Sequence, residues 1–298
     1  MELEPRLAAW AEAAIGAPVT SARPLTGGYS NDNVLLNERY VLRRYRGRNA
    51  CAVEAALARR LAGTVPVAEV LAADEAGAVL LSRYMPGCPV DRLLAGADPG
   101  TAAALGRAIG ATLAAVGTVT FAAPGFFGGG DLAPGPPGIE PASGLDAFVE
   151  RCLREGNAGG HLTPAEQDAL LRHARQAAPD LGALAGRRSL VHADYNPKNL
   201  LAAHEGGRWR VTAVLDWEFA FAGPPLFDVA NMLRDPGPHA FADAFVAGYR
   251  DAGGELPPGW RRVARALDLF SLADFLTRPP EHRYFAKAVA HIRALIRT

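Results

Sequence analysis

Apolar and polar positions recur with two different periods along this chain, and the change of period divides it. The opening stretch MELEPRLAAWAEAAIG spaces its apolar residues for one amphipathic helix. From Arg23 to Tyr45 the period shortens to that of strands. The run PLTGGYSNDNVLLNERYVLRRYRG predicts a strand, a Gly-rich turn, a second strand, a turn at Asn37-Glu38 and a third strand ending near Tyr45. Helical spacing returns between Asn49 and Leu61, where Ala52, Ala55, Ala56 and Leu57 recur with Glu54 and Arg59 between them. Val65 to Val70 and Ala78 to Tyr84 predict two more strands, the second a buried run. The pattern is that of a small antiparallel sheet with one helix inserted after its third strand.

The Pro/Gly segment MPGCPV that follows suits a hinge, which divides the chain into an N-terminal lobe over 1–84 and a C-terminal lobe over 85–298. Past it the period is mainly helical, with helices expected near 100–118, 144–155, 163–177, 226–234, 238–252, 258–277 and 281–296. One start is well marked: Thr163 is placed as N-cap, Pro164 takes the first helical position, and Glu166 closes a capping box. Between the first two of these helices, Ala123 to Gly144 is so rich in Pro and Gly that a long loop is expected. It is either a plain surface connection or a cover for a substrate. The fold class is α+β in two lobes, the second mostly helical.

Composition narrows the setting. Hydrophobic residues make up 49% and charged residues 21%, as in ordinary globular enzymes. Lys plus Arg equal Asp plus Glu at 31 each, so the balance carries no footprint of nucleic acid or of a membrane surface. The longest apolar stretch, Thr101 to Thr120, is Ala-rich and contains Arg107, which fits a core helix better than a membrane span. Cys51, Cys88 and Cys152 are far apart and odd in number, which points to reduced thiols in a cytoplasm, where ATP is also available. The acidic opening does not resemble a secretory signal.

Ser189 to Ala220, SLVHADYNPKNLLAAHEGGRWRVTAVLDWEFA, carries the chemistry. It predicts a short strand into His192, a tight loop through Pro197, a strand from Asn199 to Ala203, a turn at Gly206-Gly207, and a strand from Trp209 to Leu215 that delivers Asp216. Asp194, Asn199 and Asp216 therefore fall at the ends of one β-unit. Phosphoryl transfer needs such a set: a carboxylate to take the proton of the attacking hydroxyl, and hard oxygen ligands for a Mg²⁺ held against nucleotide phosphates.

With His-x-Asp-x-x-x-x-Asn followed by a strand pair ending in Asp, the chain resembles the aminoglycoside phosphotransferase and choline kinase superfamily. The similarity runs from about Leu25 to Leu233. It implies a protein-kinase-like fold, ATP and Mg²⁺ as cofactors, Asp194 as catalytic base, and Asn199 and Asp216 as metal ligands. It further implies that His192 braces the loop and that Asp228, in GPPLFDVANML, ties a helix start to it. Ala193 stands where this branch usually has Gly. Asp216 is followed by Trp217-Glu218 rather than Phe-Gly, as in the small-molecule branch. For Glu218 a structural hydrogen bond is expected ahead of a metal contact. Lys198 is placed either to neutralise phosphate charge or to stand in solvent.

In the N-terminal part, LTGGYSND resembles the nucleotide-covering loop, with Gly27, Gly28 and Ser30 over the phosphates. The usual lysine of the third strand aligns best with Arg43, and the helical acid with Glu54. Strand alternation sets Arg43 and Arg44 on opposite faces. Ser82, Tyr84 and Met85 would present backbone to the adenine edge.

The resemblance leaves the acceptor open among aminoglycosides, other antibiotics, choline, homoserine and sugars, with antibiotic inactivation leading. A polycationic acceptor calls for a net acidic late region, and acids such as Asp268 and Asp274 are there outnumbered by Arg and Lys. Expected partners are ATP and a small hydroxyl compound, with no nucleic acid or membrane, in a monomer or homodimer. Two rivals remain at this stage. One is a nucleotide-binding regulator without catalysis, suggested by Arg43; the other is a metal-dependent hydrolase using His192 and Asp194, for which the seven His show no supporting spacing.

Overall fold

The computed structural model describes residues 3–25, 31–135, 142–235 and 237–297. After helix α1 (Pro5–Ile15), strands β1 (Ala22–Pro24), β2 (Asn31–Leu36) and β3 (Tyr40–Tyr45) precede helix α2 (Cys51–Leu61), and β4 (Val70–Asp74) and β5 (Val79–Arg83) follow it. The five strands form one antiparallel sheet in the order β1-β2-β3-β5-β4. Asn37 and Glu38 turn β2 into β3 with left-handed φ of 50° and 54°, conformations that suit a tight hairpin. Val34, Leu36, Leu42, Val79 and Leu81 face α1 across the sheet and form a small apolar core of their own.

The fourth strand departs from the expected Val65–Val70. Pro66 has no N–H to give a ladder, and the Val65 N–H bonds back to Leu61 O at 3.0 Å. Val65 is buried as a single side chain in the main core. Pairing with β5 starts only at Val70, and its register shifts once between Val70 and Ala72.

After Gly87 come β6 (Cys88–Pro89), α3 (Val90–Leu94), α4 (Pro99–Gly117), β7 (Gly125–Phe126), α5 (Leu145–Glu155) and α6 (Pro164–Leu181). The capping box at Thr163 and Glu166 forms in both directions. The helix runs past 177 because Pro179 lies in its last turn, where the lost hydrogen bond disrupts little. Strands β8 (Ser189–Val191), β9 (Leu200–Glu205), β10 (Arg208–Val214) and β11 (Phe221–Gly223) then lead to α7 (Leu226–Arg234), α8 (His239–Asp251), α9 (Trp260–Phe275) and α10 (Phe285–Ile296). Helix α4 is the central one. Gly110 on it and Gly248 on α8 each face the other helix's backbone so closely that a Cβ would clash, which lets the two axes approach. No helix among the described residues is long and apolar enough to cross a membrane.

The Pro/Gly-rich loop is more structured than its composition suggests. Gly125 and Phe126 form β7, which pairs with β11, and Phe127 and Leu132 are buried. Aromatic and aliphatic side chains inside the loop supply burial that Pro and Gly alone do not. Residues 136–141 lie outside the described residues.

Candidate active site

The β9–β10 hairpin sets the geometry. Gly206 and Gly207 close it with φ of 55° and 77°, and its ladder runs from Glu205 opposite Arg208 to Leu200 opposite Val214. Asn199 immediately precedes β9, and Asp216 follows β10 by two residues. The Leu215 N–H donates to Asn199 O at 2.8 Å, which holds the two chain ends together. Asp194 lies on the loop entering the hairpin, and Asn199 Nδ2 donates to its Oδ2 at 2.8 Å. All three line one cleft of about 1760 Å³ between the five-stranded sheet and the helical part.

The loop before the hairpin is held from below. Asp228, buried in the first turn of α7, accepts from the His192 N–H at 2.7 Å and the Ala193 N–H at 2.9 Å. One helical turn on, Asn231 Nδ2 donates to Ala193 O at 3.0 Å. Burial pushes the Asp228 carboxyl up to about 7, while its two backbone donors hold it down. Asp228→Ala would orphan both donors in a dry environment. A loss of about 2–4 kcal/mol is expected, read by chemical denaturation, together with a fall in turnover as the loop loosens.

His192 is fully buried against Trp217, at 4.6 Å between ring centres. Its Nε2 lies 2.8 Å from Leu215 O, and the Asp194 N–H donates to its Nδ1 at 3.2 Å. That pairing assigns the neutral tautomer with the proton on Nε2. Burial lowers the imidazole pKa to about 4, so the ring stays uncharged at neutral pH. It spans the loop and the strand end that carry Asp194 and Asp216.

Ala193 and Asp216 both adopt left-handed backbone, with φ of 70° and 69°. Asp tolerates this region and Ala does so poorly. The Ala for Gly departure at 193 is thus a strained position, which Asp228 and Asn231 hold from both sides of its peptide. Ala193→Gly should relieve the strain and gain roughly 0.5–1 kcal/mol, since glycine's larger unfolded-state entropy takes back part of the benefit. A denaturant midpoint at or below that of the wild type would refute this.

Burial raises the Asp194 carboxyl to about 6; the Asn199 amide works against the shift and the charge of Asp216 adds to it. Asn196 Nδ2 also donates to Asp194, at 2.8 Å to Oδ1. With Nδ2 of Asn199 committed to Asp194, its Oδ1 is turned away and has no protein donor among the described residues.

Arg43 projects from β3 into the cleft. Its Nη1 lies 2.9 Å from Glu54 Oε1 and 2.8 Å from Asp216 Oδ1, and its Nε donates to Asn33 Oδ1 at 3.2 Å. Burial opposes its charge, but Glu54 and Asp216 more than offset that and hold the guanidinium protonated. Burial also lifts the Glu54 carboxyl to about 7, against the pull of Arg43. The contact is no surface ion pair: it joins the sheet, α2 and the hairpin end. Arg44 is exposed on the other face, as strand alternation requires.

Ser82 is buried on β5, paired with Val41 and Val70, and the Tyr84 N–H donates to Arg39 O at 2.8 Å. The Met85 N–H has no protein partner among the described residues. Ser82, Tyr84 and Met85 line the cleft with Val41, Leu80, Leu201 and Val214, which form an apolar slot. Gly27, Gly28 and Ser30 lie outside the described residues. Glu218 accepts from Asn31 Nδ2 at 3.1 Å, a structural hydrogen bond, and Lys198 Nζ turns to Tyr284 Oη at 3.2 Å.

Several contributors were not singled out by the sequence. Asn33 faces Arg43 directly across the β2–β3 ladder, which strand register would have shown. Asn196 precedes Pro197 and caps its own turn by accepting from the Lys198 N–H. Arg234 lies one turn beyond Asn231 on α7. It bonds Asn231 Oδ1 at 2.7 Å and pairs with Asp268 of α9 at 2.6 Å, both side chains largely buried. Asp268 is thereby taken out of the set of free acids. No group of three or more His, Cys, Asp or Glu among the described residues is placed to hold a metal ion, the arrangement a His192–Asp194 hydrolase would require.

A five-stranded sheet and a helical part enclosing a carboxylate-lined cleft define a protein-kinase-like phosphotransferase fold. The sequence matches the phosphotransferase enzyme family over residues 21–265, and the chain belongs to that family. No curated protein sequence matches it. Among solved structures it is similar to aminoglycoside phosphotransferase APH(4)-Ia, with a TM-score of 0.70 and 18% identity over 98% of this chain and 97% of that one. A thermostable mutant of that enzyme in ternary complex with ADP and hygromycin B gives 0.68 and 20%, over 98% of each chain. The GDP and kanamycin complex of APH(2")-IIia gives 0.71 and 14%, over 99% and 98%. At these identities the likeness is one of fold.

Proposed function

We propose that this phosphotransferase moves the γ-phosphoryl group of ATP to a hydroxyl of a small molecule, with Asp194 accepting the hydroxyl proton. The observation that carries the reading is the convergence of Asp194, Asn199 and Asp216 at one end of a hairpin, inside the cleft. Residues 1–84 would serve as the nucleotide lobe and 85–298 as the lobe that supplies the hairpin and the acceptor site. The apolar slot and the Met85 N–H suit an adenine ring, and Gly27, Gly28 and Ser30 would cover the phosphates.

The donor set fits Mg²⁺: a carboxylate at Asp216 and an amide oxygen at Asn199 turned away from its own protein contacts. When bound, the metal would neutralise phosphate charge during transfer. Asp194 orients the acceptor hydroxyl and takes its proton as the oxygen bonds to phosphorus and the bond to ADP breaks. The Asn196 and Asn199 amides fix the direction of that carboxylate, and neutral His192 keeps the loop at its distance from Asp216. Arg43 stands where a phosphate-pairing cation is needed, already linked to Glu54 as an active kinase arrangement requires. That link argues against a regulator without catalysis.

By family, antibiotics lead as acceptors, aminoglycosides among them, followed by choline, homoserine and sugars. ADP release measured over antibiotics, amino alcohols and sugars tests the reading. At least one hydroxyl compound should stimulate release well above the water background. If none does, although ATP binds, the assignment of phosphotransfer is wrong.

A further inference from the structure

Among the described residues three large hydrophobic side chains are exposed, Tyr84 at 41%, Phe126 at 41% and Phe219 at 37%, and all three line the one cleft. A single exposed ring on a surface needs no explanation, but rings gathered in one concave site bear on what binds there. Tyr84 belongs to the stretch proposed to face adenine. The other two flank the carboxylates instead. Phe219 follows Asp216 by three residues. Phe126 stands opposite Phe221 on β11, and Phe221 stands opposite Val191 at the end of β8, three residues before Asp194. Two strand spacings, about 10 Å, separate Phe126 from the strand that leads to Asp194.

Local structure holds the Phe126 ring outward. Alternation along the chain sends Phe127 into the main core and turns Phe126 to the other side. From behind, Phe126 is backed by buried Phe221 at 5.3 Å between ring centres, and Phe221 by Phe227 at 5.3 Å. Phe148 of α5 and Phe270 of α9, 5.2 Å apart, line the same cleft and are half-buried. Rings wetted by an open cleft favour a ligand whose apolar face covers them. The cleft also has the room. Its volume of about 1760 Å³ exceeds the roughly 300–1,000 Å³ of a pocket for one drug-sized ligand, so a nucleotide leaves space for a bulky acceptor. Charge does not choose the acceptor: Asp91 and Glu281 line the cleft without an ion pair among the described residues, and so do Arg92 and Lys198.

We propose that the acceptor is an alcohol carried on an extended apolar body, which lies on Phe126 and Phe219 while its hydroxyl reaches Asp194. These two rings then set specificity, and the Pro/Gly-rich loop contributes to the acceptor site through β7. The inference rests on the phosphotransfer reading and narrows it: acceptors rank by apolar area rather than by positive charge.

Two measurements on the full chain test it. One is calorimetric titration of naphthaleneethanol into protein saturated with Mg²⁺ and AMP-PNP; the other is ADP release with naphthaleneethanol, phenylethanol, glycerol and kanamycin. KM should fall about tenfold from phenylethanol to naphthaleneethanol as the second ring adds apolar area, with glycerol and kanamycin poorer than either. Naphthaleneethanol should bind with a negative heat-capacity change. F126A and F219A should each weaken that binding and raise its KM about tenfold, with KM for Mg·ATP within about twofold. Because Phe126 packs on Phe221, the denaturation midpoint of F126A is measured alongside, and F219A decides the matter if F126A does not fold. Binding indifferent to the substitutions, or kanamycin or glycerol as the better acceptor, overturns the apolar site and leaves phosphotransfer standing. A raised KM for Mg·ATP with acceptor KM unchanged assigns the rings to the nucleotide and also overturns it. Should no acceptor release ADP, the phosphotransfer reading fails; the titration then decides the apolar site alone, upheld by dependence on Phe219 and overturned without it.

Discussion

Asp194→Asn is expected to lower kcat by about three orders of magnitude, within the 10²–10⁴ range of a positioned general base, while Mg·ATP affinity stays within about twofold. The substitution keeps size and shape, and the carboxylate makes no hydrogen bond or ion pair with Arg43, the cation proposed to pair the nucleotide phosphates. Its only side-chain partners among the described residues are the Asn196 and Asn199 amides. What is lost is the capacity to take a proton. The pH dependence follows with a definite sign. Burial raises the Asp194 carboxyl to about 6, so the free enzyme holds the protonated, inactive form below that value and gains the base above it. A plot of kcat/KM for Mg·ATP against pH should therefore rise through about 6, and Asp194→Asn should flatten that limb. Retention of a tenth or more of wild-type turnover would remove Asp194 from the chemistry.

Much of this site was legible in the sequence because it is local. Asp194, Asn199 and Asp216 lie within one hairpin unit, and Gly206-Gly207 and strand periodicity suffice to fold it. The Arg43–Glu54 pair came from the family resemblance; alternation along β3 sets Arg43 and Arg44 on opposite faces but does not by itself choose between them. The contacts that were not legible join residues far apart in the chain. Asp216 on Arg43 and Glu218 on Asn31 depend on how the sheet sits on the helical part. The Arg234–Asp268 pair depends on the packing of α7 against α9, which no spacing in either helix announces. The strand placed at Val65–Val70 failed because a β-branched run reads alike whether it enters a ladder or buries its side chains singly. Pro66 decided between the two. At Ala193, where the branch usually has Gly, the φ of 70° shows that the position demands a conformation alanine reaches only under restraint, which the residue type alone does not reveal.

Asp216→Asn tests the metal side of the mechanism, and it is the cleaner variant because Asn keeps the left-handed backbone that Asp216 adopts at φ 69°. Removing the charge should cost little in folding. Arg43 retains Glu54 at 2.9 Å and Asn33 at 3.2 Å, so the guanidinium is not left unpaired. The function of the carboxylate is another matter. On the proposed reading, a Mg²⁺ held by Asp216 and Asn199 would lose its carboxylate ligand. Nucleotide affinity in the presence of Mg²⁺ should fall about a hundredfold, since even outer partners of metal ligands are worth 10–100-fold. Without Mg²⁺ the expectation differs. Asp216 then competes with the phosphates for Arg43 Nη1, which it holds at 2.8 Å, so its loss should leave ATP affinity equal or slightly improved. Calorimetric titration of ATP with and without Mg²⁺, on both proteins, separates the two effects. The variant should lose most of the metal-dependent gain in affinity. If that gain is the same in both proteins, Asp216 serves only to hold Arg43, and the metal site must be sought elsewhere in the cleft.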